Sequence, residues 1–269
     1  MQSYVLEFAA QEETTLPASN GYLLFSMFCT MVRSGPLDEV FHSGEGNFYK
    51  SVSIGFLKKN PLAKFTTEDL RFVPGETCYT RVSFVDDTDG NQFAELLSQK
   101  RKKTVRVGKT LLSLSRFFAP GEHQLSLSLL PGQVIGIPSS SMGFRFLSPT
   151  GFKKDDRQFF LPLPELVFGS LLRKYRLLVD PDFCPALEAI FPQVEIHSYH
   201  LASHASKLRS NRILRGFCGE TAYSFQNLSD TESAILSMLA TFGFFTGVGY
   251  KTTQGMGEVV PFWQESAGS

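Results

Sequence analysis

Cysteine is scarce in this sequence. Cys29, Cys78, Cys184 and Cys218 lie far apart in 269 residues and form no C-x-x-C pair. That spacing argues against structural zinc and against a disulfide scaffold. It points to reduced thiols in an intracellular protein. Long apolar runs are missing too. The most apolar stretch, residues 21–32, is too short to span a bilayer. The opening MQSYVLEFAAQEE has acids where a signal peptide needs cations. The expectation is a soluble, cytoplasmic protein with no membrane partner. Net charge is also absent, with 26 basic residues against 26 acidic ones. No global field draws the chain to nucleic acid, so any such binding needs a local patch. There is no G-x-S-x-G elbow. His197, His200 and His204 are near in sequence, but strand geometry scatters them and no Cys or acid joins them. Neither a metal nor a cofactor is expected.

What the chain has in quantity is phenylalanine, 26 copies within 42% apolar residues, enough to fill the cores of one large or two ordinary domains. Residues 4–8 read as a first strand and residues 21–33 as a buried helix. A short helix over 37–42 follows. Residues 48–57 read as a strand, 72–86 as a strand or hairpin turning at Pro74-Gly75, 93–100 as a helix and 105–118 as a strand pair or one long strand. Residues 124–130 suggest one more strand. Residues 119–143 are punctuated by Pro120-Gly121, Pro131-Gly132, Pro138 and three serines, which marks loops or a boundary. The pattern then begins again. Residues 144–152 form a strand, and 164–175 a helix with Pro164 at its start. Residues 194–201 and 213–225 pair as a hairpin. Ser229 or Asp230 caps a helix over 232–241, and a last strand closes the chain. Each half reads β-α-β-β-α-β, the ferredoxin-like order. The expected fold is therefore α+β, with two tandem ferredoxin-like, RNA-recognition-type domains built on antiparallel sheets, over residues 1–130 and 131–269.

Residues 243–260, GFFTGVGYKTTQGMGEVV, organise the second half. Glycine at this density is kept where φ is positive or backbones approach closely. Exposed amides beside Gly247, Gly249, Gly255 and Gly257, with Lys251 and Thr252, could cradle phosphate oxygens; a plain turn without ligand is the alternative. A nucleoside-triphosphate P-loop is excluded, because Tyr250 separates Gly249 from Lys251.

Cations gather in two places. Residues 100–109, KRKKTVRVGK, contain six cations and no acid; charge runs of this kind are usually solvated surface. Residues 196–219 contain no carboxylate but hold Lys207, Arg209, Arg212 and Arg215 with three histidines. A basic hairpin loop can follow a phosphate backbone or enter a groove. For chemistry, His42 follows a helix and precedes a glycine-containing loop, with Lys50 eight residues on. An imidazole that moves a proton and an ammonium that stabilises a charged transition state could cleave RNA without metal.

Four blocks then occur in a fixed order: FLSPTGFK (146–153), LPELVFGSLLRKY (163–175), LRGFCGETAYSF (214–225) and FTGVGYKTTQGMGEV (245–259). With them the chain resembles the CRISPR-associated endoribonucleases that process precursor CRISPR RNA, the Cas six branch of the RAMP superfamily. The first half matches through Leu16-Pro17, Gly21-Tyr22 and Phe41-His42. The resemblance implies metal-independent cleavage within the CRISPR repeat, giving 2′,3′-cyclic phosphate and 5′-hydroxyl ends. It implies that the product RNA is retained. In the family a histidine after the first helix often serves in catalysis, and His42 occupies the matching place, with Lys50 the counterpart of a lysine some members use. The tyrosine that some members place in the first helix is not evident at Ser26-Met27-Phe28, and another histidine common in that helix is replaced around Phe25. Those departures keep a second function in view: a non-catalytic subunit that caps the guide-RNA 3′ handle beside other CRISPR effector-complex subunits. An unrelated ferredoxin-like nucleotide binder is the third.

Overall fold

The computed structural model describes residues 1–42, 50–100, 103–130, 136–154, 157–184, 186–207 and 213–263. The first half runs β1 (Gln2–Ala10), β2 (Thr14–Leu16), α1 (Gly21–Val32), α2 (Asp38–His42), β3 (Val52–Ile54), β4 (Leu70–Phe72), β5 (Thr77–Phe84), α3 (Asp87–Lys100), β6 (Thr104–Val107) and β7 (Thr110–Phe118). β1 lies at the centre of a five-stranded antiparallel sheet ordered β3-β5-β1-β7-β6. The second half runs β8 (Ser141–Thr150), β9 (Phe152–Lys154), β10 (Arg157–Phe159), α4 (Pro164–Leu178), β11 (Glu195–Lys207), β12 (Ile213–Ser224), α5 (Asp230–Thr246) and β13 (Val259–Trp263). Its main sheet is ordered β11-β12-β8-β13, again antiparallel. Without the added ribbons, both halves have the same order, second strand beside third, third beside first, first beside last. Two tandem ferredoxin-like folds result.

Local sequence explains most element ends. Ser229 and Glu232 form a reciprocal capping box at the start of α5, which satisfies two orphan amides. Pro164 opens α4, where a missing N–H is harmless. Val167, Phe168, Leu171 and Leu172 then line its buried face at helical spacing. α3 starts at Asp87, six residues before the apolar pattern suggests. Asp86 Oδ1 accepts the N–H of Thr88 at 2.6 Å and of Asp89 at 3.3 Å, so an acidic cap starts the helix. Pro261 sits in β13, an edge strand, where the lost donor is tolerated.

Three expectations change. Residues 124–130 form no strand; Leu125 and Leu127 carbonyls instead accept from the hydroxyl and N–H of Ser3, each at 2.8 Å. They satisfy the start of β1, which pairs with β7 only from Val5 onward. The turn at Pro74-Gly75 forms, with Gly75 at φ 84°, but β4 pairs with β2, not with β5. The strand expected over 48–57 is only β3, Val52–Ile54, and residues 43–49 lie outside those described. The β9–β10 hairpin went unread because it is three residues a side.

One aromatic core, with Phe28, Phe41, Phe84 and Phe93, lies under the first sheet. A second, with Phe144, Phe168, Phe217 and Tyr223, lies under the other sheet and extends to Met1, Val5 and Val85 of the first half. A buried ion cluster ties the halves together. Glu258, just before β13, meets the ammonium of Lys58 at 2.6 Å and the Nε of Arg81 on β5 at 3.5 Å. Arg81 also donates to Val259 O at 3.2 Å and stacks over Phe244 at 4.3 Å. Burial lowers the Arg81 pKa and the Glu258 charge opposes that shift. Ser53 Oγ, on β3, donates to Phe245 O at 2.6 Å.

Removing one partner of a buried ion cluster leaves uncompensated charge and destabilises by about 3–5 kcal/mol. Glu258→Ala, which strands two buried cations, should lower the melting temperature by about 10 °C. Thermal unfolding followed by circular dichroism tests this; an unchanged midpoint would reject the cluster as the tie between domains.

Candidate active site

α1 and α2 build the chemical end of the site. After α1 the chain turns through Ser34, at φ 62°, and Gly35, whose N–H caps Val32 O at 3.0 Å. α2 then folds back along α1. Phe41 is fully buried, its ring 6.4 Å from Phe25 and 6.3 Å from Phe28. Burial of Phe41 leaves the next residue, His42, at the exposed end of α2. Its Nδ1 is 2.5 Å from Asp38 Oδ1 and 3.1 Å from Asp38 O, a helical i,i+4 pair. Asp38 Oδ2 accepts the Ser34 N–H at 3.0 Å. That hydrogen bond, then the nearby His42, holds the Asp38 carboxyl below its ordinary range. With Nδ1 engaged, Nε2 is the ring nitrogen left for a substrate. Arg33, Asp38, Glu39 and His42 line an open depression of about 470 Å³.

Lys50 reaches the same place from the other end of the loop. Its ammonium donates to Phe41 O, one residue before His42, and stands 5.1 Å from the centre of the Phe25 ring. Partial burial lowers its pKa, with Cys29 acting the other way. One of its three donors is engaged at Phe41.

The glycine-rich segment leaves α5 at Thr246. Gly247, Gly249, Gly255 and Gly257 all have positive φ, between 67° and 89°. Close backbone approach requires them: a Cβ on Gly249 would lie 2.2 Å from Gly151 O, and one on Gly257 would lie 2.0 Å from Val248 O. The amides of Gly247, Gly249 and Gly257 are engaged within the protein. Gly247 donates to Gly243 O at 2.9 Å, Gly249 to Ser170 Oγ at 3.2 Å and Gly257 to Pro149 O at 3.1 Å. Val248 donates to Gly257 O at 2.8 Å and Tyr250 to Gly151 O at 3.2 Å. The tip stays open: Lys251 is exposed and left-handed at φ 61°, and the half-buried Thr252 begins a short 3-10 turn, Thr252–Gln254.

That tip rests on α1. A Cβ on Gly21 would meet Gln254 O at 2.0 Å, and Gly255 forms a bridge to Gly55. Phe25, under Lys50, lies four residues further along α1, about 6 Å of axial rise. One turn of a single helix therefore links the loop to the Lys50–Phe41–His42 cluster.

The basic hairpin is the β11–β12 pair. Arg215 is exposed and opposes Ala205. Lys207 ends β11, with only its backbone described, and Arg209 and Arg212 lie outside the described residues. At Gly151, a Cβ would touch Arg215 O at 3.0 Å and the Tyr250 ring at 3.1 Å. Hairpin and loop therefore meet there. The β9–β10 hairpin, carrying exposed Lys154 and Arg157, starts at the next residue. On β11, Tyr199 is 72% exposed. His204 packs edge-on to Phe65 at 5.5 Å, and burial lowers its pKa. No cluster of potential metal ligands occurs among the described residues. The sequence reading missed Asp38, Lys58 and Arg81. Only Asp38 carried a signal, its four-residue spacing from His42.

The profile described as CRISPR-associated endoribonuclease Cas6 matches residues 144–259. A Mycobacterium tuberculosis protein of that name is 37% identical over 118 residues, 42% of this chain and 36% of that protein. A Streptococcus thermophilus relative of the same name is 33% identical over 117 residues, 42% of this chain and 47% of that protein. The matched stretch thus spans less than half the length of these curated relatives. Among solved structures, a Cas6 product complex is similar with a TM-score of 0.77 and 26% identity, over 97% of this chain and 99% of that one. Thermus thermophilus Cas6 gives 0.74 and 25%, over 97% and 98%. A RAMP protein described as binding different RNA substrates shares the fold at 0.62 and 13% identity, over 98% and 100%. The chain is thus similar in fold to Cas6 structures along nearly its whole length, and its second half, the glycine-rich end included, matches the CRISPR-associated endoribonuclease Cas6 profile.

Proposed function

We propose that this chain is a metal-independent endoribonuclease that cleaves precursor CRISPR RNA within its repeats and retains the product. The observation that carries the reading is the shared turn of α1: Gly21 supports the glycine-rich tip, and Phe25 underlies Lys50 beside His42. A strand of RNA held at Lys251 would run across this turn of α1 toward the imidazole. The relatives' own description as endoribonucleases, and the product complex among the similar structures, support the same reading.

The chemistry follows from the groups present. The 2′-hydroxyl oxygen attacks the adjacent phosphorus and the bond from phosphorus to the 5′-oxygen breaks. One proton leaves the 2′-oxygen and one reaches the 5′-oxygen, so the products are a 2′,3′-cyclic phosphate and a 5′-hydroxyl. His42 Nε2 moves a proton in this exchange while Asp38 holds Nδ1. Lys50 stabilises the charge that develops on the phosphate oxygens. The repeat's backbone is held by Lys207, Arg209, Arg212 and Arg215 of the hairpin. At the glycine-rich segment, contact is made by Lys251 and Thr252 on the framework set by Gly247, Gly249, Gly255 and Gly257. We place the domain boundary at 130/131 and the protein in the cytoplasm; no described helix is long and apolar enough to cross a membrane. Its partners are the repeat RNA and other CRISPR effector-complex subunits.

The cognate repeat incubated with the protein in EDTA should yield a 5′-hydroxyl product. Tight binding without cleavage would instead make the chain the capping subunit. Under single-turnover conditions, His42→Ala should slow cleavage by about 10²–10⁴-fold. Asp38→Ala should slow it by no more than about fivefold, because an ion pair open to water couples weakly. An equal loss in both variants would mean that Asp38 itself takes part in the chemistry.

Removing the charges of Arg215 and Lys251 together should weaken binding and reduce the slope of log affinity against log salt by about 1.4. Filter binding at several salt concentrations measures this, and an unchanged slope would remove both residues from the RNA interface.

A further inference from the structure

Lys174 is a cation with no part in the chemistry above, yet it is fully buried in α4, with 1% of its surface exposed. Its ammonium donates to Thr246 O at 3.1 Å and to Gly247 O at 2.7 Å. These are the last carbonyl of α5 and the first of the glycine-rich segment. Helix ends leave carbonyls that need donors from elsewhere. Here the next amide, that of Val248, is committed to Gly257 O and cannot fold back on the helix. Thr246 Oγ1 adds a bond to Gly247 O at 3.1 Å. Four residues earlier on α4, on the same face, Ser170 Oγ accepts the Gly249 N–H at 3.2 Å and donates to Val167 O at 2.9 Å. Burial pulls the Lys174 ammonium down to about 7, and the negative end of α5 favours its charge. A buried Lys is seldom kept without such partners.

We infer that Lys174 and Ser170 are positioning residues: α4 grips the stem of the glycine-rich segment at Gly247 and Gly249 and so sets where its exposed tip, Lys251, stands. Gly249 is two residues from Lys251, and both of its own contacts, Ser170 Oγ and the close approach to Gly151 O, are rigid parts of the second domain. The stem is held by hydrogen bonds to side chains of α4, so the tip's position is decided inside the core. The inference deepens the RNA-binding reading and rests on it for the role of Lys251. Its claim about the stem stands on the geometry alone.

Full-length wild type, Lys174→Met and Ser170→Ala are compared by hydrogen exchange of peptides covering residues 243–257, by melting temperature, and by affinity and single-turnover rate with repeat RNA. Lys174→Met should speed exchange of those peptides by about tenfold, the loss of a buried charged hydrogen bond. Its melting temperature should shift by no more than a few degrees, because relief of a desolvated charge offsets the two carbonyls that lose their donor. RNA affinity should fall by about tenfold while the rate at saturating RNA stays within about twofold, since the chemical groups sit on α2 and the segment after it. A general loss of structure would not produce that split. Ser170→Ala should give the same pattern at about threefold, and it decides the matter should Lys174→Met fail to fold. Unchanged exchange overturns the inference. Faster exchange with unchanged affinity overturns the positioning role. If the wild type binds no repeat RNA, the functional reading falls and takes the role of Lys251 with it; exchange still decides whether Lys174 holds the stem.

Discussion

The junction of the two domains depends on one buried carboxylate. Glu258 follows the last glycine of the tail and precedes β13. Its main chain belongs to the second domain: the N–H donates to Ser148 Oγ at 2.8 Å and the carbonyl accepts from Leu147 at 2.8 Å. Its side chain belongs to the first, between Lys58 and Arg81. Room for it is made by Gly55, where a Cβ would lie 3.0 Å from the carboxylate. Taking a lone carboxylate out of water is costly, and two cations from separate segments of the first domain offset that here. Apolar surfaces can slide on one another, whereas this arrangement is directional. It fixes how β13, and the glycine-rich segment before it, stand against β3 and β5.

The shape of the glycine-rich segment follows from that anchor. Glu258 pins one end and the close of α5 pins the other. The chain between them must pass within van der Waals contact of Gly151, Val248, Phe56 and the start of α1. Glycine serves close packing at these positions, and the amides of Gly247, Gly249 and Gly257 are engaged before any ligand arrives. The phosphate cradle that a glycine-rich sequence suggests thus gives way to a rigid stem with a short open tip. Recognition at such a tip works through side chains and a fixed backbone direction, which suits a flexible polymer passing over it better than a compact nucleotide enclosed by it.

Much of the fold was legible in the sequence because its signals are local. The capping box at Ser229 and Glu232, Pro164 at a helix start and the apolar spacing along α4 each report on a few neighbouring residues. Partner choice was not legible. β4 pairs with β2, more than fifty residues away, and the carbonyls of residues 125–127 serve β1; both are decided by which donors a distant strand leaves unpaired. The candidates His42 and Lys50 are named from residue type and spacing. The Lys58–Glu258–Arg81 cluster could not be, since its members are separated by 23 and 177 positions and charged residues are ordinarily surface residues. Lys174 was hidden for the same reason, inside a run, Arg173-Lys174 with Arg176, that reads as a solvated helix face.

The two halves of the candidate site differ in rigidity, and the difference bears on how the proposed cleavage would be organised. The glycine stem is buried and bonded on every side, whereas His42 and Asp38 are 42% and 36% exposed. An exposed imidazole–carboxylate pair is screened by water and held by little more than a helical spacing. Electrostatic groups act strongly on a developing charge only once water is displaced, and among the described residues His42 stays open to solvent. On the proposed function, the RNA adds that cover. RNA lying from Lys251 along the first turn of α1 would exclude water from the depression at Arg33, Asp38, Glu39 and His42 and bring Lys50 close to the scissile phosphate. On this view the rigid half places the strand and the strand completes the exposed half. Discrimination between RNAs then falls at the binding step, because an RNA that cannot follow the path from the tip to His42 leaves the imidazole in open water.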